Sequence, residues 1–378
     1  MKQLSNNFRI KILNKPSILL AFLWVLIVIF VSLAGLGVPQ RGSENVDVKV
    51  GDEISKNILG KILPAENPGA VFIAVGDVSY SREIGRRISA QDSNDYPFEN
   101  VRDIFKTADI VFANLETPIT EGREIRDNEV VFRSDPGTES ALKNAGITIV
   151  SLANNHLPDF GTKGVEDTLK YLDDASILHS GAGTETDAYD PVYFDSGGIR
   201  FALLAYTDQN LVPSSYAAGE DHPGTAMMGI SKMSESVLEA KSKADIVIVS
   251  MHSGTEYVYK STKFQQSFAH AAVDSGADFV IGHHPHVVQE MEKYKGKYIF
   301  YSLGNFIFDQ MWSMATREGL MIKAYFTKSG VEKVLLYPVL IENYSQPRLL
   351  ERKESQKVIE RLQIPLKDES VVYWEDEI

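Results

Sequence analysis

Six short apolar runs rich in β-type residues recur along this chain: VFIAV (71–75), DIVFAN (109–114), ITIVSLA (147–153), RFALLAY (200–206), DIVIVSM (245–251) and DFVIG (278–282). Between several of them lie stretches with apolar residues at helical spacing: FENVRDIFKTA (98–108), TESALKNAG (138–146), TKGVEDTLKYLDDA (162–175) and TKFQQSFAHAAVDSG (262–276). Buried strands separated by amphipathic helices specify a layered α/β protein. After His286 the texture turns strand-rich, with a hairpin turn expected at Ser329-Gly330 and a second sheet expected to pack on the first. The pattern places one catalytic-size domain over 71–345 and a charged tail over 346–378, with a helix at 353–362.

In open α/β sheets, functional groups collect at the carboxyl ends of strands. Here the runs end in polar residues: Gly76-Asp77, Asn114-Leu115-Glu116, Asn154-Asn155-His156, His252-Ser253-Gly254-Thr255-Glu256 and His283-His284-Pro285-His286. Each ending alone is ordinary turn or capping chemistry. Five in one chain, the last with three imidazoles in four residues, point to a metal centre, since imidazole is the commonest metal-ligating side chain. His179 and His270 read as structural. The chain has no cysteine, so disulfides, thiolate catalysis and Cys-ligated zinc are excluded. Carboxylate, amide and imidazole ligands suit Mn²⁺, Fe or Zn²⁺. One or two such ions assist hydrolysis by lowering the pKa of bound water and clamping a phosphoryl oxygen, with a further imidazole protonating the leaving group.

Ahead of the domain, Ser17–Val38 is a run of 22 residues without a charge. As a helix it is long enough to cross a bilayer core of about 30 Å. Lys2, Arg9, Lys11 and Lys15 precede it, which places 1–16 in the cytoplasm and the main domain on the extracellular or periplasmic side of the cell membrane. We read a single-pass signal anchor at 17–38 and a turn-rich tether at 39–70; cleavage near Ser32-Leu33-Ala34 is the alternative. The net charge of −13 divides into +4 over residues 1–40 and −17 over the rest. An acidic exterior argues against a nucleic-acid partner.

The motifs GDVSYSR (76–82), ANLETPIT (113–120), SLANNHLPDFG (151–161), GAG (181–183), HSGTEY (252–257), SGADFVIGHHPHVVQ (275–289) and YSLGNFIFD (301–309) resemble, in this order, those of the CapA family of bacterial capsule and poly-γ-glutamate synthesis. The resemblance runs from about Phe72 to Asp309 and implies a layered α/β/β/α sandwich of the calcineurin-like metallophosphoesterase type. It implies a divalent metal held by Asp77, Glu116, Asn155, His252, His284 and His286, with His156 as general acid. It places Asn114, His283 and Asn305 behind the ligands, and Arg82, Arg133, Glu256 and Tyr257 toward an anionic polymer or phosphoester. Two departures stand out: Asp77-Val78-Ser79 replaces the Asp-x-His of metallophosphoesterases, and Glu116 stands where they carry Asp, so one metal site is poorer by a ligand. A third is Ser253, where an aromatic usually follows the His of the CapA motif. The resemblance implies either a hydrolase using a metal-bound hydroxide, or a non-catalytic accessory protein that binds or helps export the polymer beside membrane polymer-synthesis subunits.

Overall fold

The computed structural model describes residues 69–122, 130–364, 368 and 370–373. The anchor expected over 17–38 and residues 39–68 of the tether expected over 39–70 lie outside these residues, and Ala70 already belongs to the first strand. Among the described residues no helix is long and apolar enough to cross a membrane.

The first sheet takes β1 (Ala70–Val78), β2 (Ile110–Leu115), β3 (Ile149–Ser151), β4 (Leu178–Ser180), β13 (Asn305–Ile307), β14 (Glu318–Thr327), β15 (Gly330–Glu342), β16 (Gln346–Leu349) and β17 (Val371–Tyr373). Its order is β16-β15-β14-β1-β2-β3-β4, with β13 alongside β1 and β17 alongside β15. The second sheet takes β6 (Val192–Ser196), β7 (Ile199–Thr207), β9 (Ile246–His252), β10 (Phe279–His283), β11 (Met291–Tyr294) and β12 (Lys297–Phe300), in the order β11-β12-β10-β9-β7-β6. A ribbon of β5 (Ala182–Gly183) and β8 (Gly224–Thr225) completes the strands. Six helices matter to the packing: α1 (Arg82–Gln91), α2 (Thr138–Ala145), α3 (Gly161–Asp174), α4 (Ile230–Lys243), α5 (Lys263–Asp274) and α6 (Arg352–Leu362).

Period-two alternation decides which face each strand residue covers. Phe72, Ala74, Ile110, Phe112, Phe201, Leu203, Ile246 and Ile248 meet between the sheets. Their neighbours on the first sheet, Ile73, Val75, Val111 and Ala113, turn outward onto Ile84 of α1, Leu142 of α2 and Leu172 of α3. Those on the second, Ala202, Leu204, Val247 and Val249, turn outward onto Val237 of α4 and Phe268 of α5. The layers are therefore helices, sheet, sheet, helices.

Several expectations shift. The sequence reading assigns the second sheet to the strand-rich region after His286. Instead β11 and β12 join β10, whereas β13–β17 join β1, so both sheets mix early and late strands. The helical reading of 98–108 resolves into two single turns, Tyr96–Phe98 and Arg102–Phe105, because Pro97 restricts one and neither reaches a second turn. The hairpin turn is Lys328-Ser329, one residue earlier than expected, with Thr327 paired to Gly330. Residues after 345 extend the sheet: β16 and β17 flank β15, and Val358 and Leu362 of α6 enter the inter-sheet core.

Phe326 of β14 locks the layers together, meeting Phe72 of its own sheet at 5.9 Å and, edge-on, Phe201 at 5.5 Å and Phe279 at 5.7 Å from the other. Truncation there leaves a cavity that no single element can close. Phe326→Ala is expected to cost about 3–5 kcal/mol, read as a lowered urea midpoint; a loss below about 1 kcal/mol would show that the sheets do not depend on this contact.

Candidate functional site

β1, β2 and β3 run parallel, as do β7, β9 and β10, and the polar endings lie at their carboxyl ends. Register does the assembling: Asp77 pairs with Asn114 on one side and Asn305 on the other, while His252 pairs with His283 in the second sheet. A bulge between Asp77 and Val78 breaks the β1–β13 ladder at the carboxylate. His284 (φ 98°) and His286 (φ 57°) both adopt left-handed backbone, an uncommon conformation for residues with a side chain. The strain turns the HHPH loop back over the strand ends.

Asn114 is the hub. Its Nδ2 donates to Asp77 Oδ1 at 2.9 Å and to Glu116 Oε2 at 3.3 Å, and lies 3.3 Å from His252 Nδ1. Its Oδ1 accepts from Asn154 Nδ2 at 3.2 Å. Asp77 also meets His283 Nδ1 at 3.1 Å, His286 Nδ1 at 3.4 Å and the backbone N–H of His284 at 3.4 Å. Burial pushes the Asp77 carboxyl up, but the hydrogen bonds and charges of His283 and His286 outweigh it and hold the group well below its ordinary range.

Glu116 is the opposite case. Burial foremost, then the charges of Asp77 and Glu256, raise its pKa well above the ordinary 4.5. Its Oε1 is buried and has no hydrogen-bond partner, yet it sits 3.8 Å from His252 Nε2 and 3.9 Å from His286 Nε2. Burial also keeps His252 neutral well below its usual pKa and lowers His284 to about 3, with neighbouring imidazoles adding to the effect. His284 Nδ1 and His283 Nε2 are buried without a partner. A buried acceptor without a donor, next to neutral imidazoles, fits a cation.

Two ligand groups meet at this carboxylate: Glu116, His252 and His284, and Asp77, Glu116 and His286, each offering atoms within 4.8 Å of one another. Asn155 Oδ1 lies beside the first, 2.7 Å from His252 Nε2. His286 is oriented by Asn305, whose Oδ1 accepts from Nδ1 at 2.9 Å and whose Nδ2 is held by Gln310 Oε1 and the Thr316 carbonyl. That arrangement turns Nε2 toward Glu116. His283 backs Asp77 rather than joining either group.

A cleft of about 480 Å³ opens above these groups, lined by Arg82, Asn155, His156, Glu256, Tyr257, His286 and Trp312 among others. His156 directs Nδ1 to buried Asp159 at 2.8 Å, and its ring lies 3.8 Å from that of Phe132. Arg82 pairs with Asp309 and lies 4.3 Å over Phe132. Tyr257 stacks near His286 at 6.0 Å; its hydroxyl pKa is pushed up to about 12 by burial and by Glu256. Arg133 is not brought to the cleft: it pairs with Asp135 at 2.8 Å and reaches the Gly122 carbonyl. Ser253 is fully buried and donates to Asp208 at 2.7 Å, so the position that differs from the resembled motif forms no cleft wall. His179 and His270 pair with Asp173 and Glu292 outside the site.

Sequence reasoning missed Asp159, Gln310 and Trp312. The His156–Asp159 spacing of three residues across a Pro-containing turn is a readable signal for the first. The other two follow a strand ending and carry no motif of their own.

Comparison with known proteins adds four findings. The family described as "Bacterial capsule synthesis protein PGA_cap" matches residues 71–310. The chain is 33% identical to capsule biosynthesis protein CapA of Bacillus anthracis, covering 79% of this chain and 74% of that protein. It is also 33% identical to PGA biosynthesis protein CapA of Bacillus subtilis, covering 76% of each. Among solved structures, a calcineurin-like phosphoesterase from Bacillus subtilis aligns with a TM-score of 0.43 and 12% identity over 77% of this chain and 96% of its own.

The shift at Glu116 has a defined sign. In the metal-free protein its raised pKa lets the folded state keep a proton that the unfolded chain gives up above about 4.5. That carboxyl therefore lowers stability progressively as pH rises from about 4.5 to the raised value. Glu116→Gln is expected to raise the denaturation midpoint of chelator-treated protein at neutral pH, and to weaken Mn²⁺ binding at least tenfold by calorimetry. Wild-type binding should release a proton and tighten with rising pH; pH-independent binding without proton release would contradict the assignment.

Proposed function

The chain belongs to the family of bacterial capsule synthesis proteins matched at residues 71–310, and from that premise we propose that it serves capsule or poly-γ-glutamate biosynthesis through a metal-dependent phosphoesterase site. In this reading the domain is a metallophosphoesterase-type sandwich held at the outer face of the cell membrane by residues 17–38. It works beside membrane subunits that make an anionic polymer. The observation that carries the hydrolase reading is Glu116 Oε1, buried without a donor between His252 Nε2 and His286 Nε2.

When bound there, a divalent cation of the Mn, Fe or Zn type polarises a phosphoryl oxygen and acidifies water. The chain's own residues do the rest. Glu116 serves both ligand groups, and Asn114 and Asn305 fix the orientations of His252 and His286. Asp159 takes the Nδ1 proton of His156 as its hydrogen-bond donor, so that in the imidazolium form Nε2–H is the proton left to pass to a leaving oxygen in the cleft, the ring returning to neutral. Phe132 stacks on the imidazole and on Arg82, setting an acid and a cation side by side. Arg82 offers its planar fork to an anionic group while Asp309 steadies it.

A second reading, an accessory protein that binds polymer without hydrolysis, is favoured by one observation. Both oxygens of Asp77 already meet protein donors, and Ser79 stands where a second imidazole is expected. Hydrolysis of bis(p-nitrophenyl) phosphate with Mn²⁺ separates the two. His156→Ala is expected to lower kcat about 100-fold or more with metal content unchanged, and Asp159→Asn to lower it less. Metal retained without hydrolysis in the wild type would favour the accessory reading.

A further inference from the structure

Three candidates outside the ligand groups stand out. A larger cavity of about 620 Å³ lies beside α4, lined by Glu185, Asp190, Glu220, Glu235 and Glu239, but Lys232 already pairs with Glu185 and no ligand-directed group reaches it. The ion pair of Arg361 with buried Glu318 at 2.6 Å, with Tyr259 over the guanidinium, ties α6 to the sheet and is an internal contact rather than a ligand site. The mouth of the catalytic cleft carries more.

There an aromatic series leads outward from the ligand groups. His286 stacks near Tyr257 at 6.0 Å, and Tyr257 meets Trp312 edge-on at 5.9 Å and 78°. Trp312 is 64% exposed, unusual for the largest apolar side chain, while Gln310 Nε2 donates to the Tyr257 hydroxyl at 3.3 Å and so fixes the inner ring. Because the two rings are nearly perpendicular, they form no parallel slot for a flat base, and the exposed indole is left as the platform. Beside them stands Glu256, a hydrogen-bond acceptor that repels carboxylates. Among the described cleft residues Arg82 is the one lysine or arginine, paired with Asp309, so the cleft holds one cation for a single phosphoryl group and none for a run of carboxylates. A surface of this kind suits a ring with apolar C–H faces and hydroxyl donors, and suits a polycarboxylate poorly.

We propose that the mouth of the cleft seats a pyranose ring on Trp312, with its hydroxyls toward Glu256, so that the substrate class is a glycosyl phosphoester. This rests on the phosphoester reading above and adds the leaving-side group. The anionic phosphoryl end belongs at the ligand groups and Arg82, and the sugar face lies outside it.

Calorimetry on the full chain in detergent, loaded with Mn²⁺, compares inorganic phosphate, glucose 1-phosphate, adenosine monophosphate and a γ-linked triglutamate. Glucose 1-phosphate should bind about tenfold tighter than phosphate. Trp312→Ala should abolish that preference with phosphate affinity unchanged, and Trp312→Phe should keep most of it. Equal affinities in the wild type, or a preference that survives Trp312→Ala, would overturn the proposal. Tighter binding of the triglutamate or the nucleotide through Trp312 would overturn it as well. Failure of phosphate itself to bind would instead remove the phosphoester reading on which the proposal stands.

Discussion

The molecule is arranged around two carboxylates buried within reach of one amide. Asp77 and Glu116 are both fully buried, and Asn114 Nδ2 is close to each. Two like charges in so dry a place repel, and burying each costs several kcal/mol unless opposite charge or hydrogen bonds intervene. The chain resolves the conflict asymmetrically. Asp77 collects donors from His283, His284 and His286 and stays ionised, while Glu116 is left with a free oxygen and a raised pKa. The left-handed backbone at His284 and His286 is the cost of bringing those donors round, and the packed HHPH loop sustains it.

Much of this was legible in the residues. Alternating runs named the layered class, and the polar endings named the side chains that the parallel strands gather, because direction and period suffice to say which end of a strand is functional. What was hidden is pairing between distant segments. Nothing local in β14 says that it lies antiparallel to β1, or that β13 sets Asn305 opposite Asp77. Hence the strand-rich region after His286 reads as a separate sheet. Arg133 shows the same limit: FRSDP carries both the cation and its partner, and Asp135 takes the guanidinium before any ligand can. Trp312 was invisible for the reverse reason, since its role comes from exposure, which no apolar pattern marks.

Two close backbone approaches make the convergence possible. A Cβ on Gly76 would stand 1.9 Å from the Gly304 carbonyl oxygen, and one on Gly282 the same distance from that of Tyr301. Each glycine immediately precedes a site residue, Asp77 or His283. Strand and loop can therefore touch backbone to backbone there, and any larger residue would pry the ends apart.

The pairing of β1 with β14 also bears on how the chain is made. β1 is synthesised first, yet one of its edges is covered only by β14, and the Asp77 bulge by β13, both from the far end of the domain. A nascent chain therefore carries an open, apolar strand edge through most of its synthesis, the kind of edge that recruits other strands. The first sheet cannot close until β13 and β14 are available to pair. Completion of the site therefore waits on β13 and β14, and a chain cut short before them would have every early ligand and no place to assemble them.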